Sequence, residues 1–127
     1  MRLVTAFLPA LLYAAIIFLL SARSDPFHFL PHGLTLQDKL LHAMEYAALG
    51  ALLVPGLRKV GLTPRGALLL AVALASLYGA TDEFHQSFVP GRDSDFLDWV
   101  ADTLGAAIGA AMATAATRVL RRPRGAG

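Results

Sequence analysis

Three stretches of this chain carry the residue types that do chemistry, each spaced to line up along one side of a helix. Asp38, His42 and Glu45 are four and three residues apart, with Tyr46 beside them. Tyr78, Asp82 and Gln86 repeat every four residues, with His85 alongside and Glu83 turned about 100° from Asp82. Asp95, Asp98 and Asp102 follow at three and four, and Gly105 and Gly109 continue the same stripe. Carboxylates held close together compete for protons, which suits general acid/base work. They also accept from amines and hydroxyls, and with imidazole they offer nitrogen and oxygen ligands to a divalent metal. The donors for such a metal would be His42, Glu45, Asp82, Glu83 and Asp98. No HExxH or comparable ligand motif accompanies them, and no serine sits in a nucleophile-elbow context.

The elements that must position these residues are apolar. Of 127 residues, 56% are hydrophobic and 16% charged, against about 25% charged in a soluble domain. A chain of this length forms one domain, 1–127, with too small an interior to bury that much apolar surface, so lipid must cover the rest. Leu3 to Leu20 is almost unbroken apolar sequence, and a first span at about 3–22 has the ~20 residues a crossing helix needs. The rival reading is a signal peptide cut at Ser21-Ala22-Arg23, but the apolar run exceeds a usual signal core and more spans follow. Residues 24–34 form a loop with Pro26, Pro31 and Gly33, whose Phe27 and Phe29 suit the headgroup level. Thr35 with Asp38 reads as a capping box opening a second span at about 36–55, stopped by Pro55-Gly56. Thr63-Pro64 opens a third, about 64–86, and Pro90-Gly91 marks a turn. A fourth, about 96–120, closes before Pro123. The fold class is all-α, an integral membrane four-helix bundle.

All nine acidic residues and all four histidines fall at one end of these spans. Eight basic residues, at 2, 58, 59, 65, 118, 121, 122 and 124, fall at the other, leaving three at 23, 39 and 92. The positive-inside rule therefore puts both termini in the cytoplasm and the acidic loops outside, in a multi-pass protein of the plasma (inner) membrane. Basic residues beside apolar segments suit anionic lipid headgroups, and no basic face interleaved with aromatics suits nucleic acid. With no cysteine there is no disulfide framework and no thiolate metal site.

An ionisable residue at the centre of a spanning helix costs roughly 2.5–3.5 kcal/mol on insertion scales, and less near the interface. Polar stripes on three helices should thus face one another and form one outward-opening acidic pocket of His42, Glu45, Tyr46, Asp82, Glu83, Gln86, Arg92, Asp98 and Asp102. Simpler roles compete. Asp38, Asp95 and Asp98 stand where acids cap helices, whereas Glu45 and Asp102 are too deep for that. Arg92 is either a counter-charge over the pocket or an exposed loop arginine, His28 and His32 read as loop residues, and His85 can face site or headgroups. Gly105-Ala-Ala-Ile-Gly109 matches a small-residue packing motif that serves a dimer or, more simply, a contact inside one monomer.

Asp38-Lys39 with His42 and Tyr46 resembles the opening motif of VanZ-like membrane proteins. Asp82-Glu83-Phe84-His85-Gln86-Ser87-Phe88-Val89-Pro90-Gly91-Arg92 is similar to that family's central signature. Asp98, Asp102-Thr103-Leu104-Gly105 and Gly109 are similar to its closing motif, which usually has asparagine where this chain has Asp102. The resemblance covers roughly residues 36–110. It implies a small multi-spanning bacterial envelope protein, and the family's name comes from a member linked to resistance to the lipoglycopeptide teicoplanin.

Two functions follow as expectations, with a third disfavoured. In the first, the outward pocket binds a polar group of an envelope ligand, such as a lipid headgroup, a lipid-linked wall precursor or a lipoglycopeptide. Its acids would contact amines or hydroxyls, and Arg92 phosphate or carboxylate. In the second, the chain is a membrane-embedded acid/base or metal-dependent enzyme acting on envelope lipids or lipid-linked wall precursors. No catalytic residue or cofactor is assigned, and no metal. Conduction through the membrane would need charged groups along the whole path, and the inner halves of the spans carry none beyond Arg65 and Arg118 at their very ends. Partners are membrane lipids or a lipid-linked envelope molecule, with a homodimer or larger membrane complex left open.

Overall fold

A computed structural model of the chain describes residues 2–25 and 35–121. His28, His32, Phe27, Phe29 and Pro123 lie outside the described residues, as does the Thr35 side chain on which the capping box rests. Four helices follow in order: α1 (Arg2–Ser21), α2 (Thr35–Lys59), α3 (Pro64–Gln86) and α4 (Phe96–Leu120). Each is long and apolar enough to cross a membrane.

Turn chemistry sets the helix ends. Thr63 accepts from the Gly66 amide at 3.0 Å with Pro64 behind it, and Asp95 accepts from the Leu97 amide at 2.9 Å, so both starts read from the sequence are present. The second helix corrects the reading. It continues through Pro55 to Lys59 instead of stopping at Pro55-Gly56. The true stop is Gly61, at φ +100°. The Leu62 amide reaches back to the Leu57 carbonyl and the Gly61 amide to that of Arg58, the paired bonds of a Schellman motif. Leu62 then packs into the cluster that holds Leu57, and Arg58 bonds the Leu62 carbonyl. A proline inside a helix removes one backbone bond, and here tertiary packing keeps the helix intact around it: Gly56 lies against Phe7 and the Ala6 carbonyl of α1.

The bundle is built around α2 and α4, which share the most extensive contact. Residues pair in rising order on both, Lys39 with Asp98, His42 with Asp102, Ala43 with Gly105 and Ala47 with Gly109, so the two helices run parallel. A Cβ on Gly105 or Gly109 would overlap the Ala43 or Ala47 carbonyl, and one on Gly50 would overlap the Ala106 carbonyl. Backbones therefore touch where the small-residue motif lies, inside one monomer. Helix α3 turns Ala67, Ala71, Ala75 and Gly79 inward, and α1 packs mainly on α2 through Ala6, Ala10 and Ile17. The large residues point out: Leu69, Leu77, Leu104, Ile108 and Met112 are all more than half exposed. That distribution inverts a soluble bundle and fits a lipid solvent.

Gly109→Leu should loosen the whole bundle, because the side chain has no room beside Ala47. Overpacking of this kind costs about 1–3 kcal/mol or more. Thermal unfolding in detergent should show a clear drop for Gly109→Leu and almost none for the outward-facing Leu104→Ala.

Candidate functional site

The polar residues meet at the end of the bundle where α2 and α4 begin and α3 ends. His42, Tyr46, Asp82, Glu83, Gln86, Asp98 and Asp102 are all buried, Tyr46 and Asp102 completely. Elsewhere the described core is aliphatic and small, apart from Ser21 and Thr114, so this polar layer is local.

His42 is its hub. Nδ1 lies 2.9 Å from Oδ1 of Asp102 and Nε2 lies 3.5 Å from Oδ2 of Asp98, so the ring sits between two α4 carboxylates one helical turn apart. One turn nearer the helix start, the Lys39 ammonium bridges Asp95 and Asp98. Lys39 also holds the exposed Asp95 carboxyl below its ordinary range, assisted by the Leu97 amide. A lowered carboxyl contributes above its unfolded pKa and fades as pH falls through the folded one. The Lys39–Asp95 pair therefore persists at neutral and mildly acidic pH and is lost only below the usual carboxylate range.

On the other side, Tyr46 donates to Oδ2 of Asp82 at 3.2 Å and Gln86 Nε2 donates to the same oxygen at 3.5 Å. Oε2 of Glu83 accepts from the Asp95 amide at 3.0 Å and Ser94 Oγ at 3.5 Å, which ties the end of α3 to the start of α4. Gly79 gives the layer its width, since a Cβ there would stand 3.1 Å from Oδ2 of Asp102 and 3.3 Å from the Tyr46 ring. Three acceptor oxygens in this layer are buried with no donor among the described residues: Oδ2 of Asp102, Oε1 of Glu83 and Oε1 of Gln86.

Two of the nine expected pocket residues lie at its margin. Glu45 is half-buried, within electrostatic reach of His42, Asp82, Asp102, Arg92 and Tyr13 of α1. Arg92 is half-buried on the loop after α3, where Nη1 donates to the Arg23 carbonyl at 3.3 Å and so links that loop to the end of α1. Two neighbours direct their polar or aromatic groups to α1 instead, although the Tyr78 ring still lies beside Tyr46. Tyr78 donates to the Ala14 carbonyl at 2.6 Å, and His85 stacks on Phe18, centroids 4.6 Å apart and planes 11° apart. Both belong to the α1–α3 contact. Asp38 is exposed, in the first turn of α2 where an acid favours the helix dipole.

Sequence reasoning leaves Lys39 out of the pocket, using it for orientation and as part of the opening motif that carries the family resemblance. Its signal was available: it stands three residues before His42, on the stripe that carries the acids. Asp95, placed by the sequence either in the stripe or as a cap, caps α4, and the same carboxylate also receives Lys39.

A profile of the family described as VanZ/LLP1 matches residues 5–117. Comparisons with curated proteins and with solved structures return no match. The Lys39→Met variant should be strongly destabilised, since it strands a buried Asp98 charge, and losing one partner of a buried pair costs roughly 3–5 kcal/mol. Asp95→Asn, removing an exposed partner, should cost much less. Melting of both proteins in detergent at pH 7 checks the ranking.

Proposed function

We propose, from the premise that this chain belongs to the VanZ/LLP1 family of multi-pass membrane proteins, that its acidic layer is an outward-facing receptor for a polar group of a cell-envelope molecule. The observation that carries the reading is the surplus of buried acid. Asp82, Glu83, Asp98 and Asp102 are buried at one end of the bundle, against one ammonium, from Lys39, and one imidazole, from His42. Charge on this scale inside a membrane bundle is expensive, and such groups mark sites where a substrate or ion is handled.

The orientation rests on the basic residues. Arg2, Arg58, Lys59, Arg65, Arg118 and Arg121 stand at the end opposite the acidic layer, which the positive-inside rule places in the cytoplasm together with both termini. The layer then opens at the outer leaflet, where lipid headgroups, lipid-linked wall precursors and lipoglycopeptides are presented. An amine or hydroxyl of the ligand would meet the acids, and Arg92 at the rim would meet its phosphate or carboxylate. Sequestering or altering such a ligand would lower sensitivity to a teicoplanin-type antibiotic. A second reading, acid/base catalysis on envelope lipids or lipid-linked wall precursors, is favoured by His42, because an imidazole fixed between two carboxylates is a well-oriented proton carrier.

Expression in a glycopeptide-sensitive Gram-positive host should protect selectively against teicoplanin over vancomycin. Glu83→Gln, Arg92→Ala and Asp98→Asn should abolish that protection at matched membrane levels. Protection that survives all three changes would make the layer purely structural. Because the chain has no cysteine, orientation has a clean readout. A membrane-impermeant maleimide applied to intact cells should label Asp93→Cys and leave Lys59→Cys unlabelled until the membrane is opened, and the reverse pattern would invert the topology.

A further inference from the structure

We infer that His42, Glu83 and Asp102 form a binding site for a first-row divalent cation. The three residues come from α2, α3 and α4, and each offers one ligand atom, all within 4.8 Å of one another. Their relative exposures are 6%, 6% and 0%. Exposed acids gather without meaning, but buried ones need their charge answered.

An account of the available donors shows where it is not answered. The Lys39 ammonium is taken by Asp95 and Asp98. Tyr46 and Gln86 are taken by Asp82. The Asp95 amide and Ser94 serve Oε2 of Glu83, and His42 Nδ1 serves Oδ1 of Asp102. Besides the neutral Oε1 of Gln86, what is left is one oxygen on each of two carboxylates, Oε1 of Glu83 and Oδ2 of Asp102, both buried and without a donor among the described residues. A buried acceptor without a donor is costly, and more so when charged. A cation held between them and the imidazole answers both at once.

The donor set selects the ion. One imidazole nitrogen and two carboxylate oxygens suit zinc or manganese, whereas an all-oxygen cage would suit calcium or magnesium. Bonds of about 2.0–2.2 Å put neighbouring ligand atoms roughly 3–4 Å apart, so small side-chain rotations close the observed set around an ion. Gly79 leaves room for the Asp102 carboxylate, which any larger residue there would crowd. A rival trio, Asp38, His42 and Asp98, shares the histidine, but Asp38 is exposed and Asp98 is already paired with Lys39. Three protein ligands leave an open position on the ion. If the receptor reading above holds, that position takes a phosphate or carboxylate oxygen of the envelope molecule; the metal site itself does not depend on it.

The test uses the full chain in detergent, stripped with chelator and titrated with zinc and separately with manganese. Elemental analysis should give about one ion per chain. Glu83→Gln and Asp102→Asn should each weaken binding at least tenfold, while Asp38→Asn leaves it unchanged. Absence of binding by both metals, or binding indifferent to Glu83→Gln and Asp102→Asn, overturns the site. A loss in Asp38→Asn equal to theirs also overturns it, in favour of the rival trio. Should either buried-site variant fail to run as a monodisperse species, electron paramagnetic resonance of Cu2+ on the unaltered chain decides. Coupling to a single imidazole nitrogen that persists in Asp38→Asn supports the site, and its absence, or its loss in Asp38→Asn, overturns it. No envelope ligand enters these measurements, so their failure is separable from a failure of the antibiotic-sensitivity result.

Discussion

Everything at the polar end depends on how closely α2 and α4 approach. Gly105 and Gly109 let the α4 backbone rest on the carbonyls of Ala43 and Ala47, and Gly50 returns the contact at Ala106. In lipid there is no hydrophobic force between apolar helices, so close backbone packing and interhelical hydrogen bonds must supply the cohesion. The same approach carries the chemistry. With the helices parallel and in contact, short side chains span the gap one turn at a time: Lys39 to Asp98, then His42 to Asp102. A wider separation would leave those acids facing nothing.

Helix α3 completes the layer because it runs the other way. Its last turn, with Asp82, Glu83 and Gln86, arrives beside the first turns of α2 and α4. Its most buried positions are otherwise alanine and glycine, which lets it approach, and Leu69, Leu70, Leu74 and Leu77 stay on the lipid side while Leu68 packs against the core. Helix α1 contributes no charge to the layer. It supplies a carbonyl for Tyr78, a ring for His85 and a carbonyl at its end for Arg92, so it braces the site from outside.

The charge pattern separates structure from function within the layer. Lys39 with Asp95 and Asp98, and Tyr46 with Gln86 on Asp82, are matched sets that hold helices together. Glu83 and Asp102 are matched on one oxygen each and unmatched on the other. A bundle selected for stability alone gains little from those two acids, since even a buried ion pair is often no better than an apolar replacement and an unmatched acid is worse. Their presence is why the acidic layer reads as a receptor, and the side on which they are unmatched is why it reads as a place for a cation.

Much of this was legible in the sequence. Period and hydropathy alone determine four apolar helices, because a crossing helix must satisfy its own backbone and cover itself with apolar side chains whatever its neighbours do. Thr63-Pro64 and Asp95 mark helix starts by local hydrogen bonding, which is also a sequence-local property. The stripes of His42, Asp82 and Asp98 follow from helical period, and their gathering follows from the penalty of facing lipid. The tertiary structure decided the rest. It carried α2 past Pro55, because packing on α1 outweighed one lost hydrogen bond. It turned Tyr78 and His85 away from the site they are spaced to join, because α1 offered them partners. It also set which oxygen of each acid has a donor, since that depends on the depth and rotation of one helix against another, and no period along a single chain encodes the distance between two helices.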